Sequence, residues 1–451
     1  MDHMSARTSS PILILLTITI VLTIGIGTSY AVLTPTWQIP DEPAHYNYVR
    51  SLAEGRGLPV LEKGDYDQEY LRRLTSEGFP AELSVEALEY EDHQPPLYYL
   101  LATPIYLLFD GAVVALRILS VLLGAGLVVI AFGTVRAIFP ARPELALIAA
   151  AFVAFIPQHL SMMAGVNNDI LAEVAVGGTL WALAVYVRGG RKQALEPGAQ
   201  KERPWHVGLL LAGALLTKTT AYIVVGVAAG AIAMRGYREK REWRWMARQL
   251  AWMVVPALLL SAPWFIRNGL TYGWHDPLGL ARHGAVVEGQ PRSYEWLADY
   301  GWIGLILRLT RTTFQSFWGQ FGWMAVPLPR RFYQGLALLS GTLMAGFFVW
   351  LIGRRRSYVR GPLIAHPVSL LALSALLTFL AYGWYNLTYV QHQGRYLYPA
   401  LIPLTTAAAL GLDTVTRLLP AGLRPRVQGA LFVSMAAFDL YCLFKIIIPN
   451  L

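Results

Sequence analysis

The sequence predicts an all-α integral membrane protein of about eleven transmembrane helices, with a long first extracytoplasmic loop that carries interfacial helices. Three observations predict it. Only 14% of the residues are charged and 55% are hydrophobic, far from the values of soluble domains. Apolar runs recur from the first residues to the last, and the Lys and Arg residues gather in short tracts between them. The net charge of +9 is therefore a topology signal and excludes a nucleic-acid-binding reading.

The first run, Pro11–Leu33, has no charge and is long enough to cross a hydrocarbon core of about 30 Å. It is also too long for the apolar part of a cleaved signal, although Ser29-Tyr30-Ala31 fits a small-residue cleavage site. Ten further spans follow at 112–138, 144–160, 170–187, 205–217, 220–234, 249–266, 333–352, 363–386, 397–416 and 427–448. The apolar stretch 96–109 is short and interrupted by Pro104, and charge decides its placement. Basic clusters lie at Arg188–Arg203, Arg235–Arg248, Arg354–Arg360 and Arg417–Arg426. With 96–109 at the interface and the N-terminus inside, all four clusters face the cytoplasm, as the positive-inside rule requires.

The same parity sends the polar chemistry outside. Residues 34–111 form the first outer loop, with 13 acids against five bases between Asp41 and Asp92, and short interfacial helices expected around 41–54 and 81–91. A second outer loop runs over 267–332 and ends in the aromatic stretch TTFQSFWGQFGWM. One polytopic domain, 1–451, contains both loops. The single Cys442 lies in the last apolar run and reads as a small core residue.

Six polar groups converge on the outer face: Asp41-Glu42 with His45; Glu91-Asp92-His93; Asn167-Asn168-Asp169; Lys218; Arg267-Asn268; and Gln391 through Tyr396 with Arg395. A site for an anionic lipid-linked sugar needs a base for an acceptor hydroxyl, cations for a phosphate and polar groups for a sugar ring. All three kinds are present. Each group also has a plainer reading: Asp41 and Glu42 as a helix start favoured by the macrodipole, Lys218 and Arg395 as interfacial anchors, and Asp169 as a helix start capped by Asn167 or Asn168. Glu42, His45, Glu91 and His93 are the residues that would hold a divalent metal ion, with no diagnostic spacing among them.

The segments PDEPAHY after the first span and HQPPLYY closing the first outer loop resemble those of the C-type polytopic glycosyltransferases, which include protein O-mannosyltransferases and lipid A aminoarabinose transferases. RILSVLLG from Arg117, LLTKTTAY around Lys218, PWFIRN from Pro263 and the late QGRYLYP are similar as well, and together look most like a bacterial branch of that superfamily. The resemblance implies a transferase moving a sugar from a polyprenyl-phosphate donor, such as an undecaprenyl-phosphate sugar, to an acceptor hydroxyl at the outer face of the plasma membrane. It implies Asp41 as catalytic base with Glu42 beside it, and His93, Asp169, Lys218 and Arg395 as substrate or lipid-phosphate ligands; His45 and Arg267, from the same outer-face groups, are expected to bind with them. His93 stands where the aminoarabinose transferases carry an acid.

Two other classes compete. An O-antigen-ligase-like enzyme would place its large outer loop late in the chain, whereas here the acidic loop comes first. A transporter of a lipid-linked or small polar substrate would show internal repeats and charges at mid-membrane, and these spans are nearly free of central charge.

Overall fold

A computed structural model describes residues 10–193, 203–357 and 366–451. The expected basic clusters that fall on 194–202 and 358–365, and the start of the span at 363, lie outside the described residues.

Helix α1 (Ser10–Leu33) ends in a turn that leads to α2 (Glu42–Ala53). The outer loop continues through α3 (Gln68–Ser76), which starts at Asp67, whose carboxylate accepts from the amides of Glu69 and Tyr70 at 2.8 and 3.0 Å. Helix α2 answers the expectation around 41–54. The stretch 81–91 is instead a series of turns, and the loop's second helix is α3. Those turns are tied down by the Asn47 side chain, which donates to the carbonyls of Val85 and Leu88.

Helix α4 (Leu97–Leu108) is twelve residues long, about 18 Å, too short to cross a bilayer. Then come α5 (Val113–Ile138), α6 (Pro143–Ala154) and α7 (Pro157–Met163). Helices α6 and α7 meet at a bend of 67°. Pro157 disfavours helical backbone at Ile156, which is extended (φ −104°, ψ 115°), so one apolar run becomes a broken helix. Next are α8 (Asp169–Gln193), α9 (Trp205–Leu215), a 3₁₀ turn (Thr219–Tyr222) leading into α10 (Ile223–Arg238), and α11 (Trp243–Tyr272).

Residues 267–332 are largely helical. The end of α11 is followed by α12 (Leu280–Val286) and α13 (Ser293–Trp318), the latter kinked at Gly301, and by a two-stranded hairpin of β1 (Gln320–Phe321) and β2 (Val326–Pro327). The chain ends with α14 (Arg330–Ser357), α15 (Val368–Thr388), a 3₁₀ turn (Gly394–Ala400), α16 (Leu401–Thr416) and α17 (Arg424–Tyr441), which runs on through a π-helical turn at Cys442–Ile447.

Among the described residues eight helices are long and apolar enough to cross a membrane, and the bent α6–α7 pair would make a ninth. The two other expected spans fall on α9 and α16, of 11 and 16 residues, about 16 and 24 Å. The main core lies among α1, α5, α6, α8, α10 and α16. A second cluster, built from Leu61, Leu71, Leu74, Leu88, Tyr90 and Val287, packs the two outer loops together.

Candidate functional site

Asp41 stands just ahead of α2 in left-handed backbone (φ 67°), an uncommon conformation for a residue with a side chain. This turn sends Asp41 and Glu42 to different places. Glu42 is fully buried and faces Arg117 of α5 across a bidentate pair, Nε to Oε1 at 2.7 Å and Nη2 to Oε2 at 2.6 Å. It also accepts from the amides of Trp37 and Val166, both at 3.1 Å. Arg117 gives its remaining donors to the carbonyls of Ala31, Thr34 and Pro35. The expectation that Glu42 shares the catalytic role is corrected here: its oxygens are consumed by the fold, and it is the post that holds the Asp41 turn.

Asp41 faces the other way. Its Oδ1 accepts from the Tyr90 hydroxyl at 3.0 Å and its Oδ2 from Arg395 Nη2 at 2.5 Å. The second nitrogen of Arg395, Nη1, lies 3.9 Å from Asp169 Oδ2, and Lys218 Nζ lies 2.6 Å from Asp169 Oδ1. Four charges of alternating sign thus meet from four distant parts of the chain. Both carboxylates keep one-fifth of their side-chain surface exposed. Burial raises the pKa of Asp41, but Arg395 and then His45 outweigh it and hold the carboxyl below its usual range, so it is ionised at neutral pH.

Each member is set by its own element. The 3₁₀ turn that carries Arg395 packs on the end of α13: Gly394 donates to Ser316 Oγ at 2.7 Å and the Tyr398 hydroxyl donates to the Phe317 carbonyl at 3.0 Å. A Cβ on Gly394 would stand 2.3 Å from the Phe317 amide nitrogen, so only glycine allows this approach. Asp169 opens α8, its amide capped by Asn167 Oδ1 at 2.6 Å, as one of the two sequence readings has it. Asn168 is fully buried and donates to the Thr217 carbonyl at 3.2 Å, which fixes the Lys218 turn beside α8.

A pocket of about 180 Å³ opens next to this quartet. Asp41, Glu91 and Arg395 line it, together with Tyr66, Tyr90, Tyr385 and Tyr396, Gln68, Gln290, Gln391 and Gln393, His283, and Trp323 and Met324 at the hairpin tip. Glu91 Oε2 is buried there with no hydrogen-bond partner, and burial raises its carboxyl against the pull of His45 and Lys218.

The other expected site residues sit behind this wall. His45 Nδ1 is 2.8 Å from the Tyr99 hydroxyl, and burial lowers its pKa. His93 packs at a tilt against His283 with ring centroids 4.5 Å apart and is held neutral by burial, its pKa down to about 4. Burial, reinforced by Glu89, Asp65 and Glu91, pushes Asp92 up to about 9. Arg267 does not reach the pocket: it donates to the carbonyls of Leu58 and Pro59 and to Asn268 Oδ1, pinning the first outer loop to the end of α11. That corrects its assignment as a phosphate ligand.

Among the described residues no three His, Cys, Asp or Glu side chains are grouped so as to hold a metal ion. The set Glu42, His45, Glu91 and His93 does not assemble, since Glu42 is spent on Arg117 and His93 is packed against His283. Sequence reasoning missed Arg117, Tyr90 and a buried pair behind Asp169, His159 Nε2 to Glu173 Oε2 at 2.9 Å. An arginine inside an otherwise apolar span was the available signal for Arg117.

The fold is similar to that of several solved proteins. One is the ArnT protein of Cupriavidus metallidurans bound to undecaprenyl phosphate (TM-score 0.53, 14% identity, 97% of this chain and 71% of that one). Another is the oligosaccharyltransferase AglB of Archaeoglobus fulgidus, in complex with an inhibitory peptide and a dolichol-phosphate (TM-score 0.52, 14% identity, 96% of this chain). The chain spans about half the length of the latter, 54%. No curated protein matches the sequence. The chain thus shares its fold with these two solved structures. A family model covers residues 84–404, and the chain belongs to that family, described as predicted membrane protein (DUF2142).

Proposed function

We propose that the chain is an inverting glycosyltransferase that moves a sugar from a polyprenyl-phosphate donor to an acceptor hydroxyl at the extracytoplasmic face of the plasma membrane, and that loops 34–111 and 267–332 build its site together with Asp169, Lys218 and residues 385–396. The observation that carries this reading is the quartet of Asp41, Arg395, Asp169 and Lys218 beside a pocket walled by tyrosines and glutamines. The similar folds solved with dolichol-phosphate and undecaprenyl phosphate support the donor class.

Asp41 is the base. It takes the acceptor hydroxyl proton while that oxygen's electron pair forms the bond to the anomeric carbon. The carbon–oxygen bond to phosphate breaks on the opposite side of the ring, so configuration inverts, and the pair departs on a phosphate oxygen. Arg395 and Lys218 receive that charge, so the leaving group needs no proton donor. Arg395 is also paired with Asp41. A phosphate that recruits the guanidinium frees the carboxylate, which makes the base available only when a donor is in place. No step passes through a metal ion.

Asp41→Asn protein should bind donor lipid and lose transfer by roughly 10²–10⁴-fold, the usual worth of a general base. Purified protein, a radiolabelled lipid-linked sugar and a product assay decide it. Turnover by the variant close to that of the unaltered chain would sink the base assignment.

A further inference from the structure

The hairpin between α13 and α14 borders two concavities. Its tip, Trp323 and Met324, lines the pocket already described, whereas Gln320 and Pro327 of its strands line a second cleft of about 700 Å³. That cleft lies between the last turns of α13 and the first of α14, with Arg311, Gln315, Arg330 and Gln334 around it. Neither Arg311 nor Arg330 has a carboxylate partner among the described residues. Two exposed guanidiniums and three amides thus share one hollow with no counter-charge.

Each helix carries the same pattern along its open face. On α13, Ile303, Leu307 and Arg311 follow at intervals of four residues, and on α14, Arg330, Gln334 and Leu338 do so, which aligns each triplet in one stripe. The apolar members are among the most exposed in the chain, Ile303 at 78%, Leu307 at 64% and Leu338 at 74%. Helix α14 has only 11% of its membrane-crossing window covered by protein, the smallest share among the candidate spans. A charged head beside two exposed apolar tracks is complementary to an anionic amphiphile.

We propose that this cleft is a binding site for the phosphate headgroup of an anionic membrane lipid, with its acyl chains lying along the Ile303–Leu307 and Leu338 tracks. Arg311 and Arg330 clasp the phosphate, for which a guanidinium fork is well shaped, and Gln315, Gln320 and Gln334 take the headgroup hydroxyls. This assignment is independent of the glycosyl-transfer reading and needs only the membrane setting. Arg308 and Arg331 are the internal controls: they stack over Tyr300 and Phe332, at 3.8 and 5.4 Å, and do not line the cleft.

The test is native mass spectrometry of the full chain released from nanodiscs of phosphatidylcholine doped with phosphatidylglycerol. The unaltered chain should retain phosphatidylglycerol in preference to phosphatidylcholine. Arg311→Gln with Arg330→Gln should weaken that retention at least about tenfold, the scale of a lost charge-assisted phosphate contact, at an unchanged melting temperature. Gln334→Glu should weaken it too by placing a like charge in the cleft, and Arg308→Gln with Arg331→Gln should leave it intact. Equal loss in the control pair would mean general attraction to an acidic bilayer and overturn the site. So would equal retention of the two lipids, and displacement of the lipid by millimolar inorganic phosphate would overturn the lipid assignment.

Discussion

Glu42 and Arg117 show how one buried pair can set the position of a neighbour. The two side chains are 0% and 1% exposed and share a bidentate contact, so removing either leaves an uncompensated charge inside the protein. Arg117→Ala should therefore cost about 3–5 kcal/mol, the usual penalty for breaking a buried pair, read as a large drop in melting temperature. Lys218 and Arg395 have a different character, since their partners are the acids of the site itself. Alanine at either position should weaken donor binding by about 1.5–3 kcal/mol, measured in nanodiscs against Arg241→Ala as a control. If the control loses as much, the phosphate role fails. Asp92 gives a pH signature. Its folded pKa of about 9 lies far above its unfolded value, so the stability it contributes is complete below about pH 4 and is lost as pH rises towards 9. Asp92→Asn should abolish that loss, and its melting temperature at pH 8 should exceed that of the unaltered chain; an equal decline in both would refute the protonated carboxyl.

Among the elements, α13 carries the most consequence that the sequence reading did not anticipate. It lies inside the stretch that parity assigns to the second outer loop, with its end in the aromatic sequence of an interfacial belt. Its end nevertheless supports the Gly394–Ala400 turn and thereby places Arg395. Gly394→Ala, which would drive a Cβ into the Phe317 backbone, should displace that turn and lower donor affinity and transfer together, while the variant still inserts. Normal donor binding by that variant would show that α13 does not position the arginine. The motif QGRYLYP singled out Arg395 as a candidate, but the reason for the glycine beside it is a contact with residue 317, which no local pattern encodes.

At the scale of the whole molecule, the helices distribute the basic clusters to one side and the quartet to the other only if the topology derived from charge holds. In a Cys442→Ser background, a cysteine at Asp65 should react with an impermeant reagent added outside and one at Arg241 only after access to the cytoplasm. The reverse pattern would invert the chain and place the site in the cytoplasm.

Composition and apolar periodicity alone determined that this is a polytopic helical membrane protein, because burying a helix in lipid demands long uncharged runs whatever the neighbours are. Short motifs likewise disclosed Asp41, Asp169, Lys218 and Arg395, since charged groups at span ends stand out against an apolar background. Tertiary structure decided where those groups point and which partners they meet. Asp41 and Glu42 are adjacent in sequence, yet a left-handed turn aims one at the pocket and the other at Arg117, 75 residues away. Arg267 and Arg395 look alike as cations at span ends, and only packing shows that one laces two loops together while the other meets an acid 354 residues distant. Partner choice for a charge depends on which surfaces the folded chain brings within a few ångströms, and such pairings carry no local signal.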